Sequence, residues 1–163
     1  MLADVRDKVS PHVLSLFRII VGASFALHGI AAIWGVLGGN MGMGGTAPAG
    51  AWPSWYAALI QVVAGSLVAL GLGTRAAALL CSGAMAFGYF TQHQQHGLLP
   101  IQNYGEPAVM FSWTFLVIAI VGPGIWSLDT LIARLRRGSA QPETLLAEHS
   151  TELPVERPLG AVA

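Results

Sequence analysis

The sequence predicts an all-α integral membrane protein, a four-helix transmembrane bundle followed by a C-terminal amphipathic helix on the cytoplasmic surface. Between Arg18 and Asp129 only two side chains carry a formal charge, Arg75 and Glu106. A water-soluble domain of this size must show charge to solvent, so this stretch is predicted to face lipid. The chain is 54% hydrophobic and only 10% charged, and its charges are concentrated near the two ends.

Four apolar segments are separated by glycine- and proline-containing breaks that a continuous helix would not tolerate. The predicted spans cover about residues 14–37, 54–72, 76–92 and 107–121, after an N-terminal segment of residues 1–13. Each is close to the roughly 20 residues that cross the hydrocarbon core, and the shorter third and fourth spans draw on flanking residues. The single cysteine, Cys81, excludes an intrachain disulfide.

The distribution of lysine and arginine predicts the orientation. Basic residues flank span 1, the turn between spans 2 and 3, and the segment after span 4, whereas loops 38–53 and 93–106 contain none. The positive-inside rule therefore places both termini in the cytoplasm.

After span 4, Ser127 is predicted to cap an interfacial helix at about residues 127–137. The apolar residues of this segment recur with helical spacing, so they would form one face lying on the membrane surface. Residues 138–163 show no periodicity and are predicted to be a disordered cytoplasmic tail. The apolar residues of the helix are Leu128, Leu131, Ile132 and Leu135.

Polar groups inside the bilayer are the first candidates for function, because a charge there costs at least about 2.5 kcal/mol. His28 lies well inside span 1, with Ser24 on the same helical face. Its imidazole would exchange protons or bond to a ligand carbonyl; alternatively, a neutral His28 bonds to a backbone carbonyl of a neighbouring helix. Gln61 in span 2, at similar depth, either contacts a ligand or joins two helices.

The two charged candidates lie nearer the span ends. Glu106 precedes Pro107 at the start of span 4, where the helix dipole stabilises a carboxylate, so it either caps the helix or takes part in function. Arg18 in span 1 either snorkels to the cytoplasmic headgroups or pairs with Asp129. We predict His28 and Glu106 as catalytic residues, and the predicted cofactor-binding residues are Arg18, Ser24, Gln61 and Asn103.

No metal site is predicted. His93 and His96 would share a helical face if span 3 continued, and together with Glu106 they would offer two imidazoles and one carboxylate. This set is a weak candidate, because the third ligand is not defined by spacing; two solvated histidines are the favoured interpretation.

Four short groups of residues occur together in this chain. They are Arg18 with Gly22, Phe25, His28 and Gly29; Gly71-Leu72-Gly73-Thr74-Arg75; Asn103-Tyr104-Gly105-Glu106; and Gly122-Pro123-Gly124-Ile125-Trp126-Ser127-Leu128-Asp129. In combination they resemble the DoxX family of bacterial four-helix membrane proteins, over about residues 14–135. The family's usual Asn-Gly-Gly-Glu has Tyr104 in its second position here, which puts the geometry of that turn in question.

The resemblance implies a redox-associated subunit of the bacterial plasma (inner) membrane, since the family is similar to the small membrane subunit of thiosulfate:quinone oxidoreductase. Actinobacterial members are implicated in a membrane complex with superoxide dismutase and a thiosulfate sulfurtransferase. A quinone bound between the helices in the outer half of the bundle fits this expectation, with His28 and Glu106 exchanging protons as the ring is reduced. Electrons would come from a redox partner protein on the membrane, because the chain has no flavin, iron–sulfur or dithiol motif.

Two other functions are compatible with the same sequence. A non-catalytic anchor or scaffold would use the polar residues for helix packing and the basic amphipathic helix to recruit a partner. A small-molecule transporter or channel is disfavoured, because four spans leave little room for a pore unless chains assemble into an oligomer. No nucleic-acid partner is predicted.

Overall fold

The computed structural model describes residues 2–136, and within this range the chain is helical and contains no β-strand. A π-helical turn, Tyr89–His93, continues α3, and short 3-10 turns cover Asn40–Gly42 and Gln94–His96. Arg137 and the predicted tail at 138–163 lie outside the described residues. The helices are α1 (Leu2–Trp34), α2 (Ser54–Leu70), α3 (Thr74–Gly88), α4 (Glu106–Val121) and α5 (residues 128–136).

Helix α1 begins well before the start of predicted span 1 near Leu14. It includes the described part of the predicted N-terminal segment and contains Pro11. A change from apolar to charged residues marks the edge of a membrane span but does not end a helix, because arginine and lysine favour helix nearly as much as leucine does. Hydropathy therefore could not locate this end of α1.

One helical segment of the described chain, Val9–Trp34 in α1, is both long and apolar enough to cross a membrane. Helices α2 and α4 are apolar but shorter, with 17 and 16 residues. Helix α3 has 15 residues. At about 1.5 Å per residue, these three helices are roughly 22–26 Å long.

Glycine allows α1 and α2 to pack backbone against backbone. A Cβ atom placed on Gly22 would lie 2.5 Å from the amide nitrogen of Ala69, and one on Gly65 would lie 2.9 Å from that of Ala26. No side chain other than hydrogen fits at such distances, so these positions bring the two helix axes together.

Larger side chains mediate the other helix contacts. The Phe25 ring of α1 lies 4.7 Å from the Phe115 ring of α4, with Phe25 and Phe115 almost fully buried. Between α3 and α4, the Ser82 hydroxyl donates to the Ser112 carbonyl at 2.8 Å and the Ser112 hydroxyl donates to the Ser82 carbonyl at 3.1 Å. These reciprocal bonds satisfy two polar side chains within an otherwise apolar contact.

Candidate functional site

The loops that follow α1 and α3 lie at one end of the helices, which we call the Glu106 end. The Trp52 ring, in the α1–α2 loop, lies 5.7 Å from the Phe87 ring in the last turn of α3. The α3–α4 loop leads directly into Glu106, the first residue of α4.

Glu106 occupies the N-terminal position that the sequence predicts, with Pro107 in the first turn of α4. Gly105 is the N-cap residue, and no side chain caps the helix. The Glu106 carboxylate is exposed and makes no hydrogen bond or ion pair with another described residue. Helix capping through a side-chain hydrogen bond therefore does not account for this residue.

Asn103 organises the turn that precedes Glu106. Its amide nitrogen donates to the Gly97 carbonyl at 2.8 Å, and its amide oxygen accepts from the Gly105 N–H at 2.9 Å. The side chain is buried, and both ends of the amide are used within the loop. The amide nitrogen also donates to the Tyr89 hydroxyl at 3.4 Å, so Asn103 holds the loop together.

Tyr104 adopts the backbone conformation that a glycine would favour. Its φ is +56°, in the left-handed region, and its side chain is 87% exposed. The turn therefore keeps a left-handed residue at this position although tyrosine stands where the family usually has glycine. The Asn103 side chain bonds across the turn, and the Tyr104 ring projects outward.

The two outer histidines do not lie on a continued α-helix, since a π-helical turn and a 3-10 turn follow α3. His93 Nδ1 lies 3.1 Å from the Asn103 carbonyl, and His96 Nδ1 lies 3.0 Å from the Gln92 carbonyl. Among the described residues, no three His, Cys, Asp or Glu side chains are close enough to hold a metal ion, so His93, His96 and Glu106 do not form such a group.

His28 is bonded within its own helix rather than to a neighbouring one. Its Nδ1 lies 2.8 Å from the Ser24 carbonyl, one turn earlier in α1. Because a carbonyl only accepts hydrogen bonds, Nδ1 carries the proton in the neutral ring and Nε2 is left as an acceptor. The ring is exposed and lies 5.9 Å from the Phe111 ring of α4 in an edge-to-face arrangement.

Gln61 lies on the face of α2 that contacts α1. A Cβ atom placed on Gly29 would lie 2.8 Å from the Gln61 Cβ, so the two backbones nearly touch next to His28. The Gln61 amide makes no hydrogen bond with another described residue, and the side chain is half-buried. The predicted interhelical hydrogen bond is therefore absent from the described part of the chain.

Arg18 is fully buried, so the prediction that it snorkels to the headgroups is wrong. Its guanidinium donates to four backbone carbonyls, those of Val68, Ala69, Pro123 and Trp126. The first two belong to the last turn of α2, where helical carbonyls have no partner in the helix, and the others follow α4. Five fixed N–H donors suit this task, and the C-terminal dipole of α2 favours a cation there.

Asp129 is held at the start of α3 rather than paired directly with Arg18. Its carboxylate accepts from the Gly73 N–H at 2.8 Å, the Thr74 N–H at 3.0 Å and the Thr74 hydroxyl at 2.9 Å. Partial burial raises the pKa of Asp129, but these bonds and the charge of Arg18 outweigh it, so the pKa lies below its usual value. The Asp129 N–H also donates to the Gly71 carbonyl at 2.9 Å.

Acidification tests this arrangement. A carboxylate whose pKa is lowered by folding stabilises the protein above its ordinary pKa of 3.8, and this stabilisation is lost as the pH falls through the lower folded value. We expect the unfolding temperature in detergent, followed by circular dichroism, to fall below about pH 4. Asp129→Asn should be less stable at pH 7 and should lose less on acidification. Identical pH profiles for both proteins would show that Asp129 contributes nothing.

The structure divides the predicted site residues between two ends of α4. Asn103 and Glu106 lie at its start, whereas Arg18 contacts the segment after its end. His28 and Ser24 lie between them on α1, beside Phe111. Arg18 is therefore part of the helix scaffold and not of a site with Glu106.

Two residues that contact the predicted site residues or their partners are not among those predicted from the sequence. Phe111 faces His28, and an aromatic residue in an apolar span gives no signal of its own. The Ser15 hydroxyl accepts from the Trp126 N–H at 3.2 Å and thereby supports the segment that Arg18 binds. Its position three residues before Arg18, on the same face of an apolar helix, is the signal that could have indicated it.

Comparison with known proteins identifies relatives of this chain. A family model described as DoxX matches residues 13–94. An uncharacterized protein of Haemophilus influenzae is 36% identical over 130 residues, covering 76% of this chain and 92% of that protein. No solved structure matches the chain.

Proposed function

Because this chain belongs to the DoxX family of membrane proteins, we propose that it is a redox-associated membrane subunit that binds a quinone between α1 and α4. One observation carries the proposal: His28 has an unbonded Nε2, and its exposed ring lies 5.9 Å from the Phe111 ring. An apolar aromatic surface with one proton-exchanging group is the environment that a quinone ring requires.

The chemistry follows from the two ends of the imidazole. The Ser24 carbonyl holds Nδ1–H, so a proton taken up at Nε2 would be donated to a quinone oxygen as electrons enter the ring. Reduction to the quinol needs two electrons and two protons. The electrons would come from a redox partner protein, and protons at the Glu106 end would exchange through the carboxylate, which is exposed and unpaired among the described residues.

Glu106 and His28 lie at depths that suit proton exchange with a quinone ring. Glu106 precedes Phe111 by five positions in α4, about 7.5 Å along the helix axis. A flat ring against Phe111 and His28 would therefore lie one to two turns from Glu106. Access would be lateral from lipid, since both the His28 ring and the Met110 side chain are exposed on this face.

The proposed topology is four transmembrane helices with both termini in the cytoplasm and α5 on the membrane surface. It is supported by the loops 38–53 and 93–106, which contain no lysine or arginine. Ser127 caps α5 by accepting from the Thr130 N–H at 3.1 Å. Four large apolar residues are exposed on that helix, Leu128, Leu131, Ile132 and Leu135. Four such residues on a short helix suit an interfacial position.

Quinone retention tests the proposed function. The protein is purified in mild detergent from quinone-containing membranes, and bound quinone is extracted and quantified by mass spectrometry. His28→Ala should lower the bound quinone about tenfold, the equivalent of one hydrogen bond of roughly 1–1.5 kcal/mol. His96→Ala is the matched control. His96 has the same Nδ1 contact with a carbonyl four residues earlier, but it lies in the connection between α3 and α4.

Two results would contradict the proposal. Wild-type protein without quinone, in a preparation that is folded, would exclude a stable quinone site. Equal retention by His28→Ala and wild type would place the ligand elsewhere. The scaffold function predicts instead that neutralising Arg134, Arg136 and Arg137 releases a partner protein while His28→Ala has no effect.

A further inference from the structure

The α3–α4 connection ends in a loop at residues 97–105 whose apolar side chains point away from the protein. Leu98, Ile101 and Tyr104 are 77%, 72% and 87% exposed. The loop contains no charged residue, and none occurs between Arg75 and Glu106. Such side chains would be costly in water and are unusual together in a surface loop.

Most backbone amides of this loop, in contrast, bond within the chain. Five of its backbone amides, those of residues 97, 99, 102, 103 and 105, donate to acceptors within the chain. The Asn103 amide bonds on both sides, and the Leu98 carbonyl accepts from the Tyr89 hydroxyl. Bonding of most backbone amides within the chain lowers the cost of placing a non-helical segment against lipid. The amides of residues 98, 101 and 104 make no bond to the described residues. At the level of the headgroups they can bond to water.

We infer that the 97–105 loop is a membrane-interface anchor, whose Leu98, Ile101 and Tyr104 side chains insert into the headgroup region of the bilayer that α1 crosses. Leucine and isoleucine would reach toward the acyl chains, and tyrosine has the amphipathic ring that is typical of this depth.

The lengths of the helices give an independent reason. Helices α2 and α4 contain 17 and 16 residues, which at about 1.5 Å per residue is less than the roughly 30 Å hydrocarbon thickness. A bundle with short helices needs apolar surface beyond the helix ends to match the bilayer. The 97–105 loop supplies that surface directly before α4.

The apolar surface is also continuous with the faces of the helices that a membrane would cover. Phe90, on the π-helical turn, is 59% exposed, and its ring lies 5.4 Å from that of Tyr89, whose hydroxyl bonds to the loop. Met110 and Trp113 are exposed along α4 below the loop. Lipid that covers these helix faces would therefore also cover the loop, and no other protein is required.

Site-directed spin labelling tests the inference on the full chain in liposomes. Cys81 is fully buried, and Cys81→Ala removes it from the labelling reaction. A nitroxide is attached to Ile101→Cys, and its collisions with oxygen, which concentrates in lipid, are compared with those of a water-soluble nickel complex. Gln94→Cys, an exposed polar position on the same connection, is the matched control.

We expect the label at residue 101 to collide more with oxygen than with nickel, and the ratio to be clearly higher than at residue 94. Equal or greater nickel access at residue 101 would overturn the inference and place the loop in water. Low access to both reagents would overturn it in favour of burial against a second copy or another protein. Leu98→Cys gives a second reading if the variant at residue 101 does not fold. Quinone binding does not enter any of these outcomes.

Discussion

Replacing Arg18 with methionine is expected to destabilise the protein more than any other single substitution considered for this chain. The side chain is fully buried and donates to four backbone carbonyls. Methionine keeps the length and apolar stem but removes the donor from these acceptors, of which the Val68 carbonyl keeps its bond from the Gly71 N–H. Each buried group left unsatisfied costs roughly 1–3 kcal/mol. Allowing for relaxation, we expect a loss of about 3 kcal/mol or more, measured as unfolding in detergent by denaturant or heat.

Two further variants separate the contribution of geometry from that of charge. Arg18→Lys retains the charge but offers a single ammonium group in place of a planar fork, so it should recover only part of the lost stability. Arg75→Ala removes an exposed arginine that makes no hydrogen bond with another described residue, and its effect should lie within about 0.5 kcal/mol of zero. If Arg18→Met were as stable as Arg75→Ala, the four carbonyl bonds would not contribute to the fold.

Gly22→Ala is expected to have the second large effect, although it adds only one methyl group. That methyl carbon would lie 2.5 Å from the Ala69 nitrogen and 2.9 Å from the Gly65 carbonyl oxygen, both of them backbone atoms of α2. Backbone cannot move aside as a side chain can, so α1 and α2 must separate along the contact. Overpacking of this kind costs about 1–3 kcal/mol, with a lowered unfolding temperature and lower yield of folded protein.

Gly83→Ala is the matched control, because Gly83 also lies in a helix but its added Cβ would meet no atom within 4 Å. Alanine is favoured over glycine in a helix interior by about 1 kcal/mol, so this variant should be neutral or slightly more stable. The two substitutions are chemically identical and differ only in the neighbouring helix. Equal effects at both positions would mean that α1 and α2 do not pack as closely as the structure has them.

The breaks between the helices could be predicted from the sequence because the glycine and proline residues that mark them act locally. Gly71, for example, ends α2 with φ +73°, and its N–H bonds to carbonyls of the last helical turn. Pro107, directly after Glu106, marks the start of α4. Such breaks act on a few neighbouring residues, so they can be recognised without knowledge of the fold.

The partners of the polar side chains could not be predicted in the same way. The sequence offered three interpretations of Arg18, namely snorkelling, pairing with Asp129 and cofactor binding. None includes the carbonyls that it binds, because Val68 and Pro123 lie far from it in the chain. Asn103 is satisfied inside its loop, whereas His28 bonds within α1 and leaves one nitrogen unbonded. These tertiary contacts decide whether a polar group is hydrogen-bonded within the protein or remains available to bind a ligand.

The sequence by itself therefore determined that this is a helical protein of a membrane family, since the near absence of charge and the glycine breaks are properties of the chain alone. Only the tertiary structure decided which polar residues are structural. Helix ends expose carbonyls that must find donors, and Arg18 reaches those of Val68 and Ala69 because glycines bring α1 against α2. His28 and Glu106 are left with unbonded groups because no such acceptor or donor lies beside them in the described chain.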